Sequence, residues 1–164
     1  MIIVKDAVVL IHLAKLSLLE KSCDYFKKVI MPSLVFNEVN REEYPDAKII
    51  KWLVDIKKIV VKEIRNKGLI KKANEFNIQH GEAEALALYW QEKADLLATD
   101  DDNVRRKKRI LDIRVIGTPA IILKLYNKEI INKEKTLSSI ENLREISWFS
   151  NALLDAMIME VNKK

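Results

Sequence analysis

Cysteine, glycine and proline are scarce in this chain of 164 residues, which contains one Cys, three Gly and three Pro. The single cysteine, Cys23, cannot form an internal disulfide, so we expect a packing residue in a protein of the reducing cytoplasm. So few Gly and Pro residues argue against a linker or a low-complexity segment. The two His residues do not combine with any Cys pair, which argues against a zinc site.

Several segments with a known sequence signature are also missing. The chain begins with a strand-like segment and has no basic leader, so secretion is not expected. Its longest apolar stretch, residues 7–19, contains His12 and Lys15 and is too short and too polar to span a bilayer. No phosphate loop and no dinucleotide-binding fingerprint occur. An aspartyl-phosphate hydrolase would need a second Asp two residues after Asp6, where Val8 stands.

The chain does contain a regular alternation of short apolar segments and amphipathic helices. The short segments predict strands that are buried on both faces of a parallel sheet. We therefore expect an α/β fold, a three-layer αβα sandwich with about five parallel strands, in a single domain over residues 1–164. Strands are predicted at residues 2–4, 29–31, 59–61, 96–98 and 114–116.

Helices are predicted between and after these strands. Ser33 is a plausible N-cap of the third helix, and Arg41 to Pro45 is predicted to be a polar loop. The last two helices, within residues 136–161, are expected to pack on the domain. The helices are predicted at residues 7–19, 18–26, 33–40, from Pro45 through Val54, and at 67–76, 80–93, 101–109, 119–127, 136–146 and 150–161.

Acidic residues stand where predicted strands end or predicted helices begin. Asp6 directly follows the first strand, and Asp100 and Asp101 follow the fourth strand after Thr99. Because the carboxyl ends of parallel strands meet at one edge of a sheet, we expect these acids to lie close together. Neighbouring carboxylates repel each other unless a cation lies among them, and hard divalent cations prefer oxygen ligands. The sequence therefore predicts a site for a divalent metal ion.

Each of these acids also has an ordinary structural explanation. Asp6 alone could cap the following helix, and the first turn of a helix favours the negative charge of Glu82. A single Glu within a helix, such as Glu38, is most often solvated. The run Asp100-Asp101-Asp102 could lie on the surface. Function is inferred from the expected convergence of the acids and not from any one of them.

Basic residues follow the last group of acids, and the chain as a whole has a net charge of +5. Within residues 105–109, Arg105, Arg106 and Lys108 are the candidates for contacts with the phosphates of a nucleic acid. A solvated helix face is the alternative explanation for this run. A metal site with basic residues beside it predicts a metal-dependent nuclease.

The remaining chemically versatile side chains are predicted to be structural. His12 lies within an apolar helix and is expected in the core or at its edge, and His80 is given no chemical role. Trp52, Trp90 and Trp148 are expected to pack in the core or between subunits in preference to stacking on bases.

Five short segments together resemble the PIN-domain family, and most closely the compact prokaryotic proteins related to VapC-type toxins. The resemblance implies an αβα fold, Mg²⁺ or Mn²⁺ bound by three or four acids, and cleavage of RNA. It also implies an antitoxin as a possible protein partner, and a homodimer formed through apolar faces near the C-terminus or around residues 49–54. The segments are residues 4–7, 32–38, 81–85, 99–105 and 117–119.

The resemblance also assigns individual positions. Asp101 is preferred over Asp100 because the Asp of the family pattern stands two residues after a Thr. The chain departs from the pattern at Val8, where many relatives carry Ser or Thr, and so it lacks a hydroxyl near the metal. The catalytic positions are Asp6, Glu38, Glu82 and Asp101, and the metal ligands are Asp6, Glu82, Asp100 and Asp101.

Three functions stay open at this point. The first is a metal-dependent endoribonuclease that acts as a toxin restrained by an antitoxin, with Glu82 or Asp101 orienting the attacking water. The second is a catalytically weak or silent PIN-like module that binds RNA or protein. The third is a hydrolase of phosphate monoesters that uses the same metal chemistry.

Overall fold

Five parallel strands form the central sheet of the computed structural model, which describes residues 1–41 and 45–164. The strand order is β3-β2-β1-β4-β5, and each neighbouring pair is parallel. The predicted α/β fold with five parallel strands is therefore confirmed. The strands are β1 (Ile2–Lys5), β2 (Lys28–Pro32), β3 (Ile59–Lys62), β4 (Leu96–Ala98) and β5 (Val115–Ile116).

Ten helices occur in the described part of the chain, and they cover both faces of the sheet. None of them is long and apolar enough to cross a membrane. They are α1 (Ala7–Lys15), α2 (Leu19–Phe26), α3 (Ser33–Val39), α4 (Pro45–Asp55), α5 (Lys67–Glu75), α6 (His80–Gln91), α7 (Asp102–Arg106), α8 (Thr118–Asn127), α9 (Lys133–Ile146) and α10 (Asn151–Asn162).

Alternate residues of the strands contribute to two hydrophobic cores, one on each face of the sheet. In β1, Ile3 packs into the first core and Val4 into the second. The C-terminal helices α9 and α10 contribute Ile140, Leu143 and Leu154 to the first core. Because both faces of the sheet are covered, its strands are continuously apolar, which is the pattern visible in the sequence.

The helix predicted over residues 7–19 is too long. It ends at Lys15, because Ser17 has a φ of 57°, in the left-handed region. The N–H of Leu18 then donates to the carbonyl of Leu13 at 2.8 Å, a bond that closes the end of the helix.

Two further predictions at helix ends are wrong. Ser33 is the first residue of α3 and not its N-cap, and its hydroxyl donates a hydrogen bond to Glu63. The helix predicted over residues 101–109 ends at Arg106, after which the chain continues in turns. The polar loop predicted from Arg41 to Pro45 falls largely outside the described residues.

The order of the strands reverses at β1, and this reversal determines where a crevice forms at the edge of the sheet. The chain proceeds from β1 to β2 and β3 on one side, whereas β4 and β5 lie on the other side. A crevice forms at such a switch point, beyond the carboxyl ends of the two central strands. The N–H of Asp6 donates to the carbonyl of Ala98 at 3.0 Å. The residues that follow β1 and β4 therefore lie side by side.

Candidate active site

Asp6 lies in the crevice between the ends of β1 and β4, where it is only 3% exposed. Its Oδ1 accepts the N–H of Val9 at 3.0 Å and so caps α1, and the side chain of Thr99 also hydrogen-bonds it. Burial raises the pKa of Asp6 to about 7, and the charges of Asp100 and Glu82 add to the rise, whereas the hydrogen bonds oppose it. A cation bound here would compete with a proton for this carboxylate.

Asp100 is held in one orientation by its neighbours. Its Oδ1 accepts the N–H of Thr118 at 2.7 Å, and its Oδ2 accepts the hydroxyl of Thr118 at 2.5 Å. The same Oδ2 lies 2.9 Å from Nδ1 of His12. Because an ionised carboxylate can only accept hydrogen bonds, we assign the proton of this contact to the His12 ring. The Asp100 carboxylate is thus fixed where its charge acts on Asp6.

Asp101 and Asp102 stand at the start of α7, closer to solvent. Oδ1 of Asp101 accepts the N–H of Val104 at 2.8 Å, which makes Asp101 the N-cap of α7. Its own N–H donates to the hydroxyl of Thr99 at 3.1 Å. Both acids line the same cavity as Asp100, so three successive carboxylates border one space.

Glu38 and Glu82 add a second group of acids from α3 and α6. Glu82 lies in the first turn of α6 and lines the cavity. The carboxylate of Glu38 lies against the backbone of Gly81, where an added Cβ would be 2.7 Å from its Oε1. Burial raises the pKa of Glu38, and the charge of Glu82 raises it further. Since Glu82 also acts on Asp6, the acids of the two groups interact electrostatically.

Four of the acids, Glu82 and Asp100 to Asp102, line a cavity of about 660 Å³ at the carboxyl edge of the sheet. One wall comes from α1, α6 and the start of α7, and the loop between α9 and α10 forms another. The cavity is large enough to admit part of an extended substrate. Its lining residues are Val8, His12, Glu82, Asp100, Asp101, Asp102 and residues 146–150.

A family model described as a PIN domain matches residues 2–163. The chain belongs to the PIN-domain family. PIN domains are generally nucleases, and they typically use divalent metal ions. No curated protein and no solved structure matches the chain significantly. The relation to VapC-type toxins therefore stays a prediction.

The donors of this PIN domain suit a hard divalent cation in their chemistry, although they are not preassembled around one. Within residues 1–41 and 45–164, no group of three or more His, Cys, Asp and Glu side chains is arranged so that it could hold a metal ion. Mg²⁺ usually keeps several waters and binds through only one or two carboxylates. Asp6 and Asp100 can supply these, and the cation would offset the repulsion from Asp100 and Glu82, which adds to the effect of burial on the pKa of Asp6.

The basic residues predicted to contact phosphates are spread over the PIN domain. Nη1 of Arg105 donates to the carbonyl of Thr99 at 3.3 Å, which places Arg105 beside the acids. Arg106 is exposed on α7. Lys108 lines a separate cavity together with Leu96, at the amino end of β4 and so at the opposite edge of the sheet. The structure therefore brings Arg105, but not Lys108, to the acids.

Three polar residues of the site were not identified from the sequence. His12 is buried, as expected, but its ring also hydrogen-bonds Asp100. Thr99 hydrogen-bonds Asp6 and Thr118 hydrogen-bonds Asp100, whereas the sequence marks both only as parts of segments that resemble the family. A signal existed for His12, because it stands four residues after Val8 and so lies on the same face of α1.

Trp148 does not pack in the core, one of the two locations predicted for it, whereas packing between subunits stays a prediction. Its relative exposure is 103%, and it stands at the cavity, in the loop between α9 and α10. Trp52 is 44% exposed on α4. Trp90 is half-buried, and the ammonium group of Lys72 lies 4.1 Å from the centre of its ring. Trp148 is therefore the most exposed of the three tryptophans.

Proposed function

We propose that this PIN domain is a metal-dependent endoribonuclease that hydrolyses phosphodiester bonds in RNA. The observation that carries the proposal is Asp6, which is buried at the switch point next to the charges of Asp100 and Glu82. Three carboxylates in such a position favour the binding of a divalent cation. Mg²⁺ or Mn²⁺ would be held by Asp6, Asp100, Glu82 and Asp101.

The metal ion, when bound, supplies an activated water and stabilises charge on the phosphoryl oxygens. The residues of the chain fix the ligands and handle the proton. Val9 and Thr99 orient Asp6, and Asp100 is oriented by His12 and Thr118. Glu82 or Asp101 accepts a hydrogen bond from the attacking water and takes its proton.

Glu38 and the basic residues support this centre from its periphery. Glu38 interacts with Glu82 and extends the negative charge along the start of α6. Arg105 is the basic residue best placed to bind a phosphate of the RNA, and Arg106 is exposed on the same helix. A phosphate bound between Arg105 and the metal would have its charge offset from both sides.

We further propose, on the resemblance to VapC-type proteins alone, that the chain is the toxin of a cytoplasmic prokaryotic toxin–antitoxin pair. An antitoxin segment that carries an Arg could enter the acidic cavity and offset its charge. A homodimer has two candidate surfaces with exposed apolar side chains. One contains Trp52 on α4 and Ile56 directly after this helix, and the other contains Leu153 and Met159 on α10.

Two observations favour the alternative, a PIN-like module that binds RNA or protein without cutting. The acids of the described residues are not preassembled around a metal. An exposed apolar side chain, Val8, lines the cavity where many relatives carry a hydroxyl.

Cleavage of a mixed RNA pool tests the proposal. We expect cleavage with Mg²⁺ or Mn²⁺ and none with EDTA, and a loss of about 100-fold or more in Asp6→Asn and in Asp100→Asn. The control is Asp55→Asn, which removes an exposed carboxylate whose one ion pair within residues 1–41 and 45–164 is with Lys51. Cleavage that persists unchanged in Asp6→Asn contradicts the proposal. RNA binding by the wild type without any cleavage favours the silent module.

A further inference from the structure

We propose that Trp148 stacks on a nucleobase of the bound RNA, next to the acidic centre. This inference rests on the proposed function and adds a residue that recognises the substrate. The ring of Trp148 is fully exposed, although it borders the cavity that contains the acids. A Trp that is wholly in water contributes little to folding, so its position needs another explanation.

The loop that carries Trp148 is connected to the acids through two side chains. The ring of Phe149 lies 6.3 Å from the ring of His12, measured between centroids, at an angle of 58°. His12 in turn lies 2.9 Å from the Asp100 carboxylate. The residue next to Trp148 is thus in contact with the group that orients Asp100. A base held by Trp148 would belong to a nucleotide close to the scissile phosphate.

Both ends of this loop are fixed by hydrogen bonds. At the end of α9, the N–H of Ser147 donates to the carbonyl of Leu143 at 3.0 Å. At the start of α10, the hydroxyl of Ser150 accepts the N–H of Leu153 at 3.2 Å. The backbone on either side of Trp148 is therefore anchored to α9 and α10, which limits the backbone entropy lost on stacking.

The face of the Trp148 ring is free to stack. In the described residues, no aromatic ring and no cation is stacked on it, whereas Lys72 covers the ring of Trp90. Aromatic side chains bind single-stranded nucleic acids in this way because every base offers a π-face. An exposed indole ring at the edge of a site for phosphodiesters provides such a surface.

The surroundings of Trp148 favour a base over a protein partner. A tryptophan that anchors a protein usually lies at the centre of an apolar patch. Here the cavity combines apolar side chains, such as Val8 and Phe149, with polar ones, among them the carboxylates of Glu82 and Asp100. A nucleotide uses both kinds of group, because its base stacks while its phosphate approaches the metal centre.

Binding of two matched oligomers tests this inference. One is an adenine RNA of about 12 nucleotides, and the other is an abasic ribose-phosphate chain of the same length and charge. All proteins carry Asp6→Asn, so that the RNA stays intact. We expect Trp148→Ala to weaken binding of the adenine oligomer by about fivefold or more and to change binding of the abasic chain less than about twofold.

Two variants serve as controls in the same background. Trp148→Phe keeps an aromatic face and is expected to retain most of the binding. Ile110→Ala removes an exposed apolar side chain that does not line the cavity, and is expected to leave both affinities unchanged. With Trp52→Phe and Trp90→Phe, Trp148 is the only tryptophan left, and its fluorescence should be quenched by the adenine oligomer and not by the abasic chain.

The outcomes separate this inference from the proposed function. An equal loss of binding for both oligomers overturns the inference, as does unchanged binding in Trp148→Ala. A change of oligomeric state in Trp148→Ala, with adenine binding intact, assigns the ring to a protein contact and also overturns it. Base-dependent binding through Trp148 in a chain whose wild type cleaves no RNA upholds the inference and rejects the nuclease. Absence of any binding to the adenine oligomer rejects the inference. The proposed nuclease activity is then tested separately, by whether the wild type cleaves RNA.

Discussion

Two ionisable residues that follow each other in sequence, Lys5 and Asp6, are both buried at the end of β1. Burial lowers the pKa of Lys5 from 10.5 to about 8 and raises that of Asp6 from 3.8 to about 7. Lys5 donates to the Ser22 hydroxyl at 2.6 Å and lies 4.9 Å from the centre of the Phe26 ring. Its partners are thus structural, whereas Asp6 lies among other acids at the edge of the sheet.

We expect Asp6→Asn to stabilise the metal-free protein at neutral and alkaline pH. The wild type loses stability as the pH rises from 3.8 to about 7, because only the unfolded state releases the Asp6 proton in this range. The variant should gain about 1–3 kcal/mol in the free energy of unfolding at about pH 8. The full change in the Asp6 pKa corresponds to roughly 4 kcal/mol. We expect a smaller gain because the amide that Asp6→Asn introduces is buried and needs hydrogen-bond acceptors for its N–H groups.

Urea unfolding in EDTA checks this expectation, with Asp55→Asn as the control. The gain should shrink towards pH 4, where Asp6 is increasingly protonated in both states. An Asp6→Asn protein that is less stable than the wild type at every pH would contradict the described environment of Asp6.

Lys5→Met is expected to stabilise the protein over a different range of pH. The Lys5 pKa is lowered in the folded state, so between pH 10.5 and about 8 only the unfolded state binds the Lys5 proton. The wild type therefore loses stability as the pH falls through this range, and its stability stays at the lower level below about pH 8. Because Met is apolar and of similar size, the variant should gain about 1–3 kcal/mol in the free energy of unfolding at neutral pH. Unfolding measured at increasing pH should show this gain disappearing as the pH approaches 10.5. A gain that is independent of pH would show that packing, and not the buried charge, is the cause.

At the scale of elements, the strands were easier to predict than the helix ends. The strands have continuous apolar sequences because both faces of the sheet are covered. In many proteins a Gly with positive φ marks the end of a helix in the sequence. In the described residues of this chain, no Gly has a positive φ. Residues such as Ser17, Lys27 and Lys93 adopt positive φ in its place, after α1, α2 and α6. Because the chain has only three Gly residues and other residue types end its helices, the sequence gives little indication of where the helices end.

The acids of the site could be predicted from their positions at the ends of strands and the starts of helices. The residues that hydrogen-bond these acids could not. Asp6 directly follows β1, and Asp100 follows β4 after Thr99; a parallel sheet brings such positions together. The partners depend on how helices pack against this edge. His12 reaches Asp100 only because α1 lies close to the start of α8, where Thr118 is located. Periodicity along the sequence contains no information on that distance.

Gly81→Ala tests the contact between α3 and α6. The added Cβ would lie 2.7 Å and 2.8 Å from the two carboxylate oxygens of Glu38, so this side chain must move. We expect RNA cleavage to fall about tenfold or more, while the free energy of unfolding changes by less than about 1 kcal/mol, because Ala favours a helix over Gly. The control is Gly68→Ala in α5, near Asn66. Cleavage that is equal in both variants would exclude a role for the position of Glu38.

At the scale of the whole molecule, the order of the strands determines where the acids meet. The sequence predicted five parallel strands, but periodicity alone does not state that β1 lies between β2 and β4. Only this order makes β1 and β4 neighbours at the switch point. The family resemblance implied the same convergence, and the match to a PIN domain over residues 2–163 agrees with it.

Metal binding is expected to stabilise the whole fold. At a concentration of about 100 times its dissociation constant, Mn²⁺ should add about 2.7 kcal/mol to the free energy of unfolding and raise Tm by about 5–10 °C. Asp6→Asn removes one of the ligands, so with tenfold weaker binding the same Mn²⁺ concentration should add about 1.4 kcal/mol or less and raise its Tm by about half as much or less. A thermal scan of both proteins with and without Mn²⁺ measures this difference. An equal increase in both proteins would indicate metal binding elsewhere.

Calorimetric titration with Mn²⁺ tests most directly whether the acids at the switch point form a metal site. Near pH 6 the Asp6 carboxyl is mostly protonated, so binding should release a proton, and the release should diminish at about pH 8. Two buffers with different ionisation enthalpies measure that release. We predict binding by the wild type, with this dependence on pH, and at least tenfold weaker binding by Asp6→Asn and Asp100→Asn. Absence of binding by the wild type, or equal affinity in all three proteins, would contradict the account.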